Sequence, residues 1–177
     1  MKLTDSRDIM ADPAIVWQAL LNPEVLRTCI PGCESMTGSI ADGYEATVVQ
    51  KVGPVTARFA GIVHLSDIVE GISVRISGEG KGGAAGFAKG GAVVTLAPIP
   101  GGTRLSYDVD ASVGGKIAQL GSRIIDGLAK KMADDFFARF QDAVEPPEGE
   151  DVAGLIEVDI APNQEKKKGW FKRLIGG

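Results

Sequence analysis

Apolar and polar residues alternate through the middle of the chain, from about residue 34 to residue 112. This period of two is typical of strands with one buried face, and the short stretches between the runs predict antiparallel hairpins. The alternation is clearest in two runs, Val55, Ala57, Phe59, Gly61, Val63, Leu65 and Leu105, Tyr107, Val109, Ala111. Turn signals separate six strands, at Asp42-Gly43, Gly53-Pro54, Glu70-Gly71, Lys81-Gly82-Gly83 and Pro100-Gly101-Gly102. With a first strand over residues 2–10, the sequence predicts seven strands.

Two proline-marked positions predict short helices between the first strand and the others. Asp12-Pro13 places a side-chain acceptor at the N-cap and proline at the first helical position, and Asn22-Pro23 repeats the arrangement. Pro31-Gly32 predicts that the second helix ends near Cys29.

The apolar period changes to that of a helix from residue 115 to residue 144. The apolar residues fall three or four apart, at Ile117, Leu120, Ile124, Leu128, Met132, Phe136, Phe140 and Val144. This stripe predicts one continuous helix. Gly121 and Gly127 interrupt it with two explanations open: close packing on the sheet, or room beneath the helix for a ligand.

The order of these elements predicts an α+β helix-grip fold. A curved, seven-stranded antiparallel sheet would wrap around the long C-terminal helix, with two short helices after the first strand. Such a sheet does not close tightly on its helix everywhere, so an apolar cavity is expected. Most inward residues are core, and a subset should line the cavity; the predicted lining residues are Trp17, Phe59, Val63, Tyr107, Leu120, Ile124, Leu128, Met132 and Phe136. The Tyr107 hydroxyl could serve a ligand carbonyl.

Charge divides the chain sharply. Residues 1–144 hold 14 basic and 16 acidic residues, residues 145–165 hold seven acids, and residues 166–177 hold five bases. A mildly acidic body is a poor partner for nucleic acid, so none is expected. No run of about 20 apolar residues and no secretory signal is present. The protein is therefore expected in the cytoplasm.

Catalytic chemistry is not evident in the sequence. His64 is the single histidine, and strand alternation points it outward with Asp108 and Asp110. The motif at residues 78–83 matches G-x-G-x-x-G but lies between strands, which disfavours phosphate binding. Cys29 and Cys33 could form a disulfide, although reduced or structural thiols are favoured. We therefore predict no catalytic residue and no metal site, because an enzyme would need an inward polar pair that the pattern does not show.

The last twelve residues combine positive charge with aromatic residues. On a helix, Trp170, Phe171, Leu174 and Ile175 fall on one side and Lys172 and Arg173 on the other. That pattern is typical of a helix at a bilayer interface, and the predicted membrane-binding residues are Lys166, Lys167, Lys168, Trp170, Phe171, Lys172, Arg173, Leu174 and Ile175. The alternatives are a solvated basic tail or contact with the acidic linker. The sequence thus predicts three parts: a ligand-binding domain over 1–144, an acidic flexible linker over 145–165 and a membrane-binding tail over 166–177.

Several stretches carry a family resemblance over about residues 1–144. They are Ile30-Pro31-Gly32-Cys33, residues 51–55, residues 80–86, residues 114–123 and Phe136-Phe137. Together they resemble the carbon monoxide dehydrogenase protein CoxG, within the START/Bet v 1-like (SRPBCC) superfamily. The resemblance implies an accessory protein of molybdenum-containing CO dehydrogenase or a related hydroxylase, on the inner face of the membrane.

Cavity, tail and family context together predict a non-enzymatic accessory protein of a molybdenum hydroxylase. It would bind a hydrophobic small molecule, expected to be a respiratory quinone, and hold no covalent cofactor. It would tether its partner enzyme to the anionic inner leaflet of the cytoplasmic membrane as a peripheral protein. The alternatives are a purely structural membrane adaptor without a ligand, or a cyclase or hydrolase of the superfamily type.

Overall fold

A computed structural model describes residues 1–146 of the chain. The predicted tail over 166–177 lies outside the described residues, as does the predicted linker from residue 147 onward.

One sheet holds all the strands of the described part. The strands are β1 (Lys2–Ile9), β2 (Cys33–Ser39), β3 (Gly43–Val52), β4 (Val55–Val69), β5 (Ser73–Lys81), β6 (Phe87–Ile99) and β7 (Gly102–Gly114). They lie in the order β1-β7-β6-β5-β4-β3-β2, with every neighbouring pair antiparallel. Helices α1 (Pro13–Leu21) and α2 (Pro23–Cys29) connect β1 to β2, which form the two edges of the sheet. With α3 (Ser122–Val144), the predicted helix-grip fold is confirmed.

The two short helices begin differently. The Asn22 side chain accepts a hydrogen bond from the backbone N–H of Glu24 at 2.9 Å, as predicted for a helix cap. The predicted cap at Asp12 is wrong, because the Asp12 side chain makes no capping bond. Its backbone carbonyl accepts instead from the N–H groups of Ile15 and Val16, at 2.9 and 3.0 Å, and proline at the first position has no donor to satisfy.

The predicted single helix over 115–144 is also wrong. Residues Lys116–Leu120 form a 3-10 turn, and α3 begins only after Gly121, whose φ is +99°. A 3-10 turn has three residues per turn rather than 3.6, so the apolar stripe changes phase there. As a result Ile124 is 45% exposed, and its neighbour Ile125 is the buried isoleucine at 6%.

Candidate ligand-binding site

Small residues occupy the middle of the inward face of the sheet. Gly61 lies opposite Gly80, which lies opposite Ala88. The next row across the sheet is Val63, Gly78, Gly90 and Ala111. By strand alternation, these residues share the face of the buried side chains of Leu105 and Tyr107. Since glycine and alanine project little above a strand, this part of the face leaves room for another group.

The glycines of this face have two different roles. A Cβ added to Gly90 would lie 2.4 Å from the Asp110 carbonyl oxygen, so a side chain is excluded there by the close approach of β7. A Cβ added to Gly80 would have Phe59 Cβ as its nearest neighbour at 3.6 Å, which is ordinary contact. Gly80 therefore lacks a side chain where the surroundings would accept one.

The packed core lies on both sides of this region. A larger cluster includes Ile9, Trp17, Leu105, Tyr107 and Phe140, and a smaller cluster consists of Ala57, Ala85 and Ile117. The small residues of the two rows belong to neither cluster as fully buried members. The interior is therefore packed at two places, with a stretch of lower side-chain volume between them.

The predicted cavity residues divide between these regions. Trp17 and Tyr107 are buried in the larger cluster, and Phe136 packs against it. Phe59 packs against the smaller cluster. Ile124 is exposed, which contradicts the predicted stripe. Four are half-buried and belong to neither cluster: Val63, Leu120, Leu128 and Met132. Contact of any of these residues with a ligand stays a prediction.

An inward polar cluster lies between β1 and α3, so the prediction that the interior has no such pair is wrong. Arg7 donates through Nη2 to Oδ1 of Asp134 at 2.6 Å and to the hydroxyl oxygen of Tyr107 at 3.4 Å. The same guanidinium lies 3.6 Å from a carboxylate oxygen of Asp5 and 5.1 Å from the centre of the Phe137 ring. Its Nε is buried with no hydrogen-bond partner among the described residues.

The electrostatics of the cluster favour charged groups that do not titrate near neutral pH. Burial opposes the charge on Arg7, but hydrogen bonds to Asp134 and Tyr107 outweigh it and raise the pKa of Arg7. Arg7, and then Lys130, lower the pKa of Asp134 by hydrogen bonding. Asp134 is thus an ionised acceptor at neutral pH rather than a proton-transfer group. Because the Tyr107 oxygen accepts from Arg7, its hydroxyl hydrogen remains available to donate.

Arg7 and Asp134 were missed from sequence, although β1 contains a signal. Leu3, Asp5, Arg7 and Ile9 share one face of β1, and Ile9 is fully buried. Two charged residues therefore alternate with apolar residues on the inward side of an edge strand. Their partner on α3 has no such signal, because 127 residues separate Arg7 from Asp134.

The other candidate polar residues lie on the outward face, as predicted. His64, Asp108 and Asp110 are exposed. Asp108 accepts a hydrogen bond from the Thr4 hydroxyl at 3.0 Å, and Asp110 accepts from Lys2 Nζ at 2.9 Å. None of these three residues meets Tyr107, whose side chain is buried on the opposite face.

The glycine motif and the cysteines have structural positions. Gly78 and Gly80 lie within β5 rather than between a strand and a helix, which does not fit a phosphate-binding loop. Cys29 is buried and Cys33 is half-buried, and both are free thiols whose pKa is raised by burial. Within residues 1–146, no group of three or more histidine, cysteine or acidic residues is placed to hold a metal ion.

Comparison with known proteins identifies the family. The family model for CoxG, a carbon monoxide dehydrogenase protein, matches residues 6–145, most of the chain. The chain belongs to the CoxG family. The family name is that of an accessory protein associated with CO dehydrogenase, and together with the fold it suggests a ligand-binding accessory protein. No curated protein matches the chain.

Solved structures share the fold. A conserved protein from Geobacillus kaustophilus is 31% identical with a TM-score of 0.76, and the match covers 81% of this chain and 94% of that one. A START superfamily protein from Mycobacterium smegmatis is 13% identical with a TM-score of 0.61, covering 81% and 97%. A protein from Rhizobium leguminosarum is 18% identical with a TM-score of 0.62, covering 80% and 91%. At such low identities, the last two support the fold alone.

The described helices were also compared with the requirements of a bilayer. Within residues 1–146, none is both long enough and apolar enough to cross a membrane.

Proposed function

We propose that this CoxG-family protein is a non-enzymatic accessory protein of a molybdenum hydroxylase of the CO dehydrogenase type. It binds a hydrophobic ligand, a respiratory quinone, between the sheet and α3, and tethers the enzyme to the inner face of the cytoplasmic membrane. The observation that supports ligand binding is the stretch of small residues between the two core clusters, with the Arg7 cluster beside it.

The chemistry of a quinone suits this interior. Its ring carbonyls are hydrogen-bond acceptors, and its isoprenoid chain is apolar. The Tyr107 hydroxyl and the Arg7 guanidinium are donors on the inward face, and they would serve a ring carbonyl. The half-buried side chains of Val63, Leu128 and Met132 would contact the apolar chain, gaining stability by leaving water.

A binding role fits the polar cluster better than a catalytic role. General acid–base catalysis works best with a group that titrates near the working pH. Asp134 has a lowered pKa, Arg7 has a raised one, and His64 is on the outward face. The groups that face the interior can therefore orient a ligand through hydrogen bonds, and they are poorly suited to transferring protons.

The tether belongs to the tail predicted from sequence. Five bases and two aromatic residues within residues 166–177 would associate reversibly with an anionic leaflet, each base contributing about 1 kcal/mol. A quinone dissolves in the bilayer while a hydroxylase works in water. A protein that visits both could pass a bilayer-soluble electron carrier to the enzyme.

Mass spectrometry of an organic extract tests the ligand. The full-length protein is purified without harsh detergent from a quinone-producing host, together with two variants. Gly80→Leu adds a side chain to the inward face, and the matched control Ala60→Leu adds the same side chain to the outward face of β4. We expect near-stoichiometric quinone in the wild-type protein and in A60L, and strongly reduced quinone in G80L.

An extract with no quinone from any folded variant would overturn the ligand proposal. Vesicle binding that persists in the same protein would then favour the structural adaptor. Equal quinone in G80L and A60L would place the ligand elsewhere on the protein.

A further inference from the structure

Cations without ion-pair partners are concentrated at one end of the domain. Of the fourteen lysine and arginine residues in 1–146, eight form ion pairs with described residues. Arg139 lies near the end of α3 and has no described ion-pair partner. The remaining five, here called the basic end, are Lys51, Lys81, Lys89, Lys116 and Arg123.

The topology brings these five residues together. Lys51 is near the end of β3 and Lys81 is the last residue of β5. Lys89 is the third residue of β6, while Lys116 and Arg123 follow the end of β7. In an antiparallel sheet, the ends of β3, β5 and β7 and the starts of β4 and β6 lie at the same end.

The opposite end of the domain has the opposite charge. Asp42 and Glu70 lie in the turns after β2 and β4, Asp12 follows β1, and Glu145 follows α3. None of these four carboxylates forms an ion pair with a described residue. At the basic end, Glu79 lies opposite Lys89 in the register and Asp126 is near the start of α3, so two carboxylates offset part of the five positive charges.

Exposed apolar groups lie among the cations. The Phe87 side chain is 40% exposed and Ile124 is 45% exposed, and Pro54 is exposed in the turn before β4. Phe87 lies above Gly114, where an added Cβ would be 2.4 Å from its ring. A groove of about 450 Å³ beside the ring is lined by Glu79, Lys81, Gly83, Gly86, Phe87 and Lys89.

From this arrangement we propose that the basic end docks directly on an anionic phospholipid surface. The cations would meet the headgroup phosphates, and Phe87 and Ile124 would enter the interfacial layer. The acidic opposite end would be repelled, so the charge division sets an orientation. This contact goes beyond the proposed function, because it requires neither the interior ligand nor the C-terminal tail.

The mixture of groups favours lipid over nucleic acid. Aromatic and aliphatic side chains beside dispersed lysines suit an interface with an apolar interior. The domain as a whole holds more acids than bases, which disfavours a polyanion that would surround it.

Cosedimentation of the full-length protein with phosphatidylcholine vesicles containing phosphatidylglycerol tests the contact. The basic-end variant is Lys81→Gln, Lys116→Gln and Arg123→Gln combined. The matched control removes three cations toward the opposite end: Arg75→Gln, Arg104→Gln and Arg139→Gln combined. Each set is made in the natural chain and in one whose five tail cations, at residues 166, 167, 168, 172 and 173, are glutamine.

A cation near an anionic leaflet is worth about fivefold in partitioning, so loss of three should weaken vesicle binding at least about tenfold. We expect that loss in both backgrounds for the basic-end variant, and a much smaller change for the control. No loss, or an equal loss in the two sets, would overturn the proposal. Quinone content in the same preparations is expected to be unchanged, so failure of this proposal and failure of the ligand proposal are distinguishable.

Depth-dependent quenching by brominated lipids provides a test that does not rely on charge removal. Phe87→Trp places a fluorophore at the basic end, and Ile72→Trp places one at the opposite end, where the natural side chain is 53% exposed. We expect added quenching for F87W and none for I72W. Quenching of I72W alone, or of neither, would overturn the proposed orientation.

Discussion

Nη2 of Arg7 in β1 lies 2.6 Å from Oδ1 of Asp134 in α3, joining the first strand to the last helix. The guanidinium also lies over the Phe137 ring, which stacks on Tyr107 with ring centres 5.2 Å apart. The C-terminal half of α3 is therefore held to the sheet by both polar and aromatic contacts. Near the middle of the helix, Leu128 and Met132 are only half-buried, so the helix is packed unevenly along its length.

The Arg7–Asp134 pair predicts a specific pH dependence. Arg7 and Lys130 lower the pKa of Asp134 in the folded protein. The pair therefore contributes its full stability above the ordinary aspartate pKa of about 4, and the contribution is lost as the pH falls through the lowered value. We expect Arg7→Met to raise the pKa of Asp134 toward its ordinary range, measured by NMR titration of the side-chain carboxyl.

Asp110 supplies the internal control for that titration. Its pKa is lowered by Lys2 on the outward face, so R7M should leave it unchanged. An Asp134 titration curve identical in R7M and the natural protein would contradict the assigned cause.

Truncation of two helix residues distinguishes packed core from ligand space. The Phe140 side chain has no solvent exposure and belongs to the larger cluster, so Phe140→Ala should cost about 3–5 kcal/mol in the free energy of unfolding. Met132 is half-buried outside both clusters, and Met132→Ala should cost about 1 kcal/mol or less because it removes fewer contacts. Urea unfolding of ligand-free protein measures both. A cost for M132A close to that for F140A would mean that the interior there is packed core.

The strands could be predicted from sequence because each hairpin states its own alternation. Leu105, Tyr107 and Val109 alternate with polar residues, and the structure places the first two inward as expected. Local turn chemistry then fixes where each strand stops. Neither feature depends on distant residues, so the sheet is legible from short windows of the chain.

The site was less predictable because it depends on long-range contacts and on the phase of α3. Arg7 acquires its meaning only through Asp134, which the fold brings to it from 127 residues away. The error at Ile124 has a local cause: Gly121 adopts φ +99° and separates a 3-10 turn from the α-helix. Periodicity carried across that residue assigns the wrong isoleucine to the interior.

Two glycines with positive φ predict a contrast in stability. Gly86 has φ +118°, and an added Cβ would lie 2.0 Å from the Gly114 carbonyl oxygen. Gly121 has φ +99° with nothing within 4 Å of an added Cβ. Gly121→Ala should therefore cost only backbone strain, about 1–2 kcal/mol, whereas Gly86→Ala adds a clash between backbones and should cost considerably more. Thermal unfolding compares them, and equal costs would argue against close approach of these two loops at the basic end.

The tail and the basic end should contribute separately to vesicle binding. Trp170→Ala with Phe171→Ala removes two aromatic residues whose burial would each contribute about 1.5–3 kcal/mol, so partitioning should fall at least about tenfold. The control Val152→Ala with Ile156→Ala alters two apolar residues of the acidic segment and should leave partitioning unchanged. If tail and basic end bind one vesicle together, the tail variant should retain salt-sensitive binding, because the domain cations are still present. Retention of wild-type affinity by the tail variant would contradict the anchor, and complete loss at low salt would contradict the docking of the domain.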